Sequence, residues 1–168
     1  INAYPWDYVI GSVHFLGEWD ISDFRQLAGW EGKDIFEVYT QYYEAVKKAV
    51  RTGLYDYIGH IDMIKRFGYV PDRDTWELEK AALDTVKEYG MAIELNASGL
   101  RHPCKEMFPS RRMLEYCHKV GIPVTLGSDA HQPERLSQYL DEARELLKTI
   151  GFNEIATFSA RKRQLVTF

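Results

Sequence analysis

The sequence predicts an α/β protein built on a parallel sheet, and three observations predict it. Short runs rich in β-branched and aromatic residues alternate with amphipathic segments of helical period along the whole length. Glycines close the helical segments. No change of composition marks a linker, so the 168 residues read as one domain. Repeated strand and helix alternation implies right-handed crossovers between parallel strands, and both a doubly wound sheet and part of a β/α barrel satisfy it.

Residues 7–14 (DYVIGSVH) read as the first strand. Residues 33–52 place Ile35, Val38, Tyr39, Tyr42, Tyr43, Val46, Ala49 and Val50 at spacings of three and four, a helix with one buried face that Gly53 stops. Residues 55–60 (YDYIGH) form a second strand. Val70-Pro71-Asp72 marks a loop, Asp74 is the expected N-cap, and residues 76–89 form a second helix ended by Gly90. Residues 91–97 (MAIELNA) give a third strand. Ser110 is the expected cap of a helix reaching Val120 and closed by Gly121, and residues 123–127 (PVTLG) give a fourth strand. Pro133 suits the first turn of a helix carrying Leu136, Leu140, Ala143, Leu146 and Leu147 before Gly151. Residues 155–158 form a fifth strand, and residues 160–168 carry no readable pattern.

Composition narrows the function classes. Charged residues are 27% and hydrophobic ones 45%, which excludes disordered and low-complexity chains. A net charge of −4 provides no basic field for nucleic acid or an anionic membrane, and no apolar run has the roughly 18 residues of a membrane span. A cytoplasmic enzyme acting on a small molecule is the expectation. Cys104 and Cys117 lack CxxC spacing, so free thiols are expected in that compartment.

Polar residues fall at the C-terminal ends of four successive strands: His14, His60, Asn96 with Arg101 beyond it, and Asp129 with His131. In parallel α/β architectures the strand-to-helix loops converge at that edge, where ligands bind. Asp129 and His131, two apart in extended chain, project to the same side and suit a divalent ion such as Zn, Mn or Fe. Each residue also has a structural alternative: Asp129 as a helix cap with His131 in the first turn, His60 as a loop histidine with Asp62 capping, and His14 as a hydrogen-bonded core residue. Their coincidence at one sheet edge favours a metal site. Arg66, shortly after His60, and Arg101 suit an anion held there, because the planar guanidinium grips two phosphate oxygens. Lys65 reads as a solvated lysine, and His102 and His118 as histidines outside the site.

The stretches YPWDYVIGSVHFL (residues 4–16), YDYIGHIDMIKRF (55–67), IELNASGLR (93–101) and VTLGSDAH (124–131) closely resemble histidinol-phosphate phosphatases of the PHP type, over nearly the whole chain. The resemblance implies a distorted β/α barrel of seven strands, of which about five are readable here. It also implies a trinuclear site of Zn, Mn or Fe that hydrolyses L-histidinol phosphate to L-histidinol and phosphate in histidine biosynthesis. Carried over, His14 and His60 resemble ligands of one metal, Asp129 of a second and His131 of a third, while Arg66 and Arg101 match the positions that hold the phosphate. Asp62 or a metal-bound water is the candidate proton donor to the leaving oxygen, and sequence alone does not choose between them. The family's His-x-His pair, further histidines and bridging glutamate find no match here, and an eight-stranded barrel takes about 250 residues. The chain is therefore expected to be the C-terminal portion of a barrel, weakly active alone and prone to dimerise through the exposed edge of its first strand. The alternatives are a PHP-type phosphoesterase or exonuclease acting on nucleotides, and a PHP remnant without catalysis.

Overall fold

The computed structural model describes residues 3–168. Its strands are β1 (Ile10–Gly11), β2 (Phe15–Leu16), β3 (Trp19–Asp20), β4 (Tyr57–Ile58), β5 (Ala92–Asn96), β6 (Val124–Gly127), β7 (Glu154–Ser159) and β8 (Lys162–Thr167). Its α-helices are α1 (Ile35–Arg51), α2 (Trp76–Glu88), α3 (Arg111–Val120) and α4 (Leu140–Ile150). Strands β1, β4, β5 and β6 form a parallel sheet in that order, with Gly11 opposite Ile58, Ile58 opposite Ile93, and Ile93 opposite Val124. Such a sheet is covered by its crossover helices, which explains why every residue of β5 is buried.

Local signals place α1, α2 and α3 where the sequence predicts them. Asp34 caps α1 by accepting from the backbone N–H groups of Phe36 and Glu37, and Val38, Tyr39, Tyr42, Tyr43, Val46 and Val50 form its buried face. Burying each such side chain contributes roughly 1.5–3 kcal/mol, the main reason this helix is fixed. The expected cap Asp74 lies one residue outside the assigned cap Thr75, yet its carboxylate still accepts from the Trp76 N–H at 3.1 Å. Gly121 closes α3 with φ +78°, a conformation that favours glycine. Ser110 holds the N-cap position of α3 without a hydroxyl bond into the helix. Both cysteines are free thiols, Cys117 buried and Cys104 half-buried.

Three expectations are corrected. The first strand pairs only over Ile10–Gly11, because the chain beyond His14 turns into the β2–β3 hairpin, where Phe15 faces Asp20. The helix after Pro133 is a single 3-10 turn, Pro133–Arg135, and α4 begins at Leu140, after Tyr139 adopts φ +64°. Leu136 is left 72% exposed. The fifth strand does not join the parallel sheet: β7 pairs antiparallel with β8, so four parallel strands are present among the described residues. Ala160 and Arg161, at φ +47° and +61°, make the tight turn between them. Phe158 stacks on Tyr57 at 5.4 Å, which seats this hairpin against the sheet.

Among the described residues no helix is long and apolar enough to cross a membrane. The buried polar residues His60, Glu94, Asn96, Ser98 and Ser128 sit at or near the C-terminal ends of β4, β5 and β6. Burying polar groups costs free energy unless they are paired, so this cluster marks where the fold departs from simple packing.

Candidate metal centre

Strand β1 delivers His14 and β4 delivers His60 to the same edge. Gly59 continues the ladder by donating to the Gly11 carbonyl at 2.9 Å, and a Cβ on Gly59 would lie 2.7 Å from the Ser12 hydroxyl. That close approach brings the two rings to 5.0 Å between centroids, nearly perpendicular. His60 takes φ +27°, unusual for a residue with a side chain, and its backbone N–H is held by a Glu94 carboxylate oxygen at 3.0 Å. Its Nδ1 is buried without a hydrogen-bond partner among the described residues.

The β2–β3 hairpin returns the chain to His14, with the Ile21 N–H donating to the His14 carbonyl at 3.0 Å. Ser22 Oγ lies 2.9 Å from His14 Nδ1 and donates its proton to Asp20 Oδ1 at 2.6 Å. A hydroxyl has one hydrogen, so at the imidazole it accepts, and Nδ1 carries the proton. The Nε2 lone pair is thereby left for a metal. A carboxylate and hydroxyl behind an imidazole is the arrangement that orients a metal-binding histidine.

Electrostatics reinforce the grouping. Burial pulls His60 down to about 4, helped by His14 and opposed by Asp129. Burial also lowers His14, against the raising influence of Asp20 and Asp129. Both rings are neutral near pH 7, the state that binds a cation. Arg66 is half-buried in the same field, lowered by burial while Asp129 and Asp20 favour its charge, and its Nε has no partner among the described residues.

Beyond β6, Asp129 adopts φ +49°. Its Oδ2 receives a long bond from Ser98 Oγ at 3.4 Å. Arg101 braces this loop by donating to the Ser128 and Asp129 carbonyls at 2.8 and 3.1 Å. The structure thus brings His14, His60, Arg66 and Asp129 together, with Arg101 on the loop behind. It does not bring in His131, whose side chain is 83% exposed and whose Nδ1 turns back to the Asp129 carbonyl at 3.1 Å. No three His, Cys, Asp or Glu side chains converge as a ligand set among the described residues.

Asp62 is a correction. Its Oδ2 accepts from the Ser110 N–H at 2.8 Å and pairs with Lys65 at 2.7 Å, and Lys65 in turn pairs with Glu106. It lines a separate cavity of about 590 Å³ with Tyr39, Tyr43 and Ser110. Burial raises its pKa against the pull of Lys65. Asp62 therefore joins the loop after β4 to the start of α3, with one carboxylate oxygen engaged away from His14 and His60. Lys65, expected in solvent, is its buried partner.

Sequence reasoning missed four residues. Glu94 is a buried carboxylate inside an otherwise apolar strand, and that mismatch was its available signal. Asp20 and Ser22 reach His14 through a hairpin that two-residue strands do not announce. His102 stacks on Phe108 at 6.3 Å and is lowered to about 4 by burial and then by Arg66 and Arg101, which places it in the same cationic field.

Comparison with known families matches residues 1–98 to the PHP domain. The chain is 38% identical to a probable histidinol-phosphatase of Deinococcus radiodurans over 98% of its own length and 62% of the relative's. It is 30% identical to a histidinol-phosphatase of Lactococcus lactis, covering 96% of this chain and 62% of that protein. The crystal structure of histidinol phosphate phosphatase from Lactococcus lactis, complexed with zinc, L-histidinol and phosphate, superposes with a TM-score of 0.79 at 28% identity, covering 97% of this chain and 64% of that one. The chain thus spans under two thirds of the length of these proteins.

Proposed function

The chain belongs to the PHP domain family, and on that premise we propose that it takes part in hydrolysing L-histidinol phosphate to L-histidinol and phosphate with divalent metal at the His14–His60 centre. One observation carries the reading: the buried Nδ1 of His60 and Nε of Arg66 have no partner among the described residues and lie within one electrostatic neighbourhood, a cation-binding lone pair near an anion-binding donor. Isolated buried polar atoms are costly, and a bound metal and phosphate would satisfy both.

His14 through Nε2 and His60 through Nδ1 offer two neutral imidazole ligands of the kind that Zn, Mn or Fe takes, and Asp129 and His131 on the loop after β6 would complete the set only by moving toward them. A metal held there supplies Lewis acidity toward a phosphoryl oxygen and lowers the pKa of water. Arg66 holds the phosphoryl oxygens and offsets the charge that grows on them. Arg101 acts on the same phosphate through the Asp129 loop it braces, with part of its guanidinium engaged by backbone carbonyls. The Ser128 hydroxyl donates to the Leu136 carbonyl and is not poised as a nucleophile, and direct attack by water is the proposed step. The parallel sheet is read as part of a distorted β/α barrel whose strand ends frame this centre.

The decisive assay is metal-dependent phosphate release from L-histidinol phosphate, compared with nucleotides and single-stranded DNA. Expected is preference for histidinol phosphate, loss on chelation, and a KM raised about tenfold or more in Arg66→Ala. Faster release from nucleotides would move the assignment to a nucleotide phosphoesterase. Binding of zinc without turnover of any of these would favour a remnant.

A further inference from the structure

Glu94 is buried at 8% exposure on β5, yet it is not among the residues set against the phosphate or the metal. Its Oε2 receives two donors, the backbone N–H of His60 at 3.0 Å and Asn96 Nδ2 at 2.9 Å. Asn96 cannot be turned over, because its Oδ1 accepts the Ser98 N–H at 2.9 Å. Ser98 then donates through Oγ to Asp129. A continuous series of hydrogen bonds therefore crosses β5 and joins the backbone of His60 on one side to the carboxylate of Asp129 on the other. Residues 94 and 96 share one face of β5 as a strand requires, and Ser98 lies in the short 3-10 turn that Asn96 caps. The packing leaves this carboxylate no freedom: a Cβ on Gly127 would lie 1.9 Å from Oε1, so the glycine makes the room that Glu94 fills.

We propose that Glu94 is a positioning residue that holds His60 in its left-handed conformation and, through Asn96 and Ser98, fixes the distance between the His60 and Asp129 metal ligands. A histidine at φ +27° is unfavourable without a bond to keep it there, and the Glu94 acceptor is the bond its N–H makes. Without it, His60 relaxes toward ordinary backbone geometry and its imidazole leaves His14. Groups behind a metal ligand typically influence affinity by 10–100-fold. This rests on the metal-centre reading only in taking His60 and Asp129 as ligands.

The test compares Glu94→Gln, Glu94→Ala and Gly127→Ala by zinc titration against a competing chelator and by exchange protection of the His60 amide in metal-free protein. Gln keeps an oxygen for both donors without the charge, so zinc affinity within about threefold of wild type and preserved protection are expected. Glu94→Ala is expected to lose 10–100-fold in zinc affinity together with amide protection. Gly127→Ala displaces the carboxylate while retaining it, and is expected to fall the same way even if Glu94→Ala does not fold. Unchanged protection and affinity in both alanine variants would overturn the proposal. So would equal loss in Glu94→Gln, which would make the charge a direct ligand. A wild-type protein that binds no zinc would overturn the metal-centre reading instead, while the amide protection of the three variants would still decide whether Glu94 holds His60.

Discussion

His60 and His102 are both held neutral by their surroundings, at about 4 against an ordinary 6.5. Burial is the larger cause for each. His14 adds to it for His60, and Arg66 and Arg101 for His102. Between pH 6.5 and 4 the unfolded chain takes up protons that the folded chain refuses, so stability rises with pH across that window. It is fully present above about 6.5 and falls as pH drops toward 4. The raised carboxyls of Asp62 and Glu94 act with the opposite sign, since there the folded state holds the proton longer. In metal-free protein the histidine sign is expected to dominate, and His102→Gln should flatten the slope of melting temperature against pH between 6.5 and 4. An unchanged slope in that variant would show that His102 does not contribute. Little of this was legible in sequence: His14, His60 and Asp129 stood out as strand-end residues, whereas His102 looked like a loop histidine before Pro103. Its field comes from Arg66, distant in sequence and near only after folding. Asp62 misled for the converse reason, since proximity to His60 in sequence says nothing about which side of the loop its carboxylate takes.

At the scale of elements, legibility followed how local the cause was. The caps and periodicities of α1, α2 and α3 lie within a few residues and were readable. The β7–β8 hairpin was not, because its turn uses Ala160 and Arg161 where Asn-Gly is the usual signal. Tertiary contacts hold that turn instead. The Ala160 and Arg161 N–H groups donate to Asp7, at its carboxylate and carbonyl. The Arg161 guanidinium meets Asp56 Oδ1 and Oδ2 at 3.2 and 3.0 Å and the Leu54 carbonyl at 2.8 Å. Asp56 is mostly buried and also accepts from the Val9 N–H at 2.7 Å, so one carboxylate ties the hairpin tip to the start of β1. Removing Arg161 leaves a buried carboxylate short of a partner, which costs about 1–3 kcal/mol. Arg161→Ala is therefore expected to lower the unfolding free energy measured by urea denaturation by about 1–3 kcal/mol while leaving His14 and His60 in place. A loss of unfolding free energy below about 0.5 kcal/mol would mean the turn is held by β7–β8 pairing alone.

At the scale of the whole sheet, the described residues leave one side open. Strand β1 bonds to β4 on one flank, and no described strand pairs with the other. Around that flank Tyr4, Trp6, Tyr8 and Ile10 are 65%, 44%, 48% and 44% exposed, an apolar strip beside unpaired backbone groups. Such an edge invites a second strand, and proteins that leave one open normally carry a charge or a proline in it. Here Pro5 and Asp7 precede β1, but Ile10 within it offers no such block. A net charge of −4 spread over the chain gives only weak repulsion at physiological ionic strength. The expected behaviour of these residues on their own is concentration-dependent association through β1, measured by light scattering coupled to gel filtration. Ile10→Lys places a charge on the edge and should restore the monomer while lowering the unfolding midpoint only modestly, since Ile10 is already 44% exposed. A clean monomer in the unsubstituted chain at high micromolar concentration would refute the open edge as an association surface. Association that survives Ile10→Lys would move the contact to another face. The same strand leads into His14, so a partner strand on that edge would stand directly beside the metal centre.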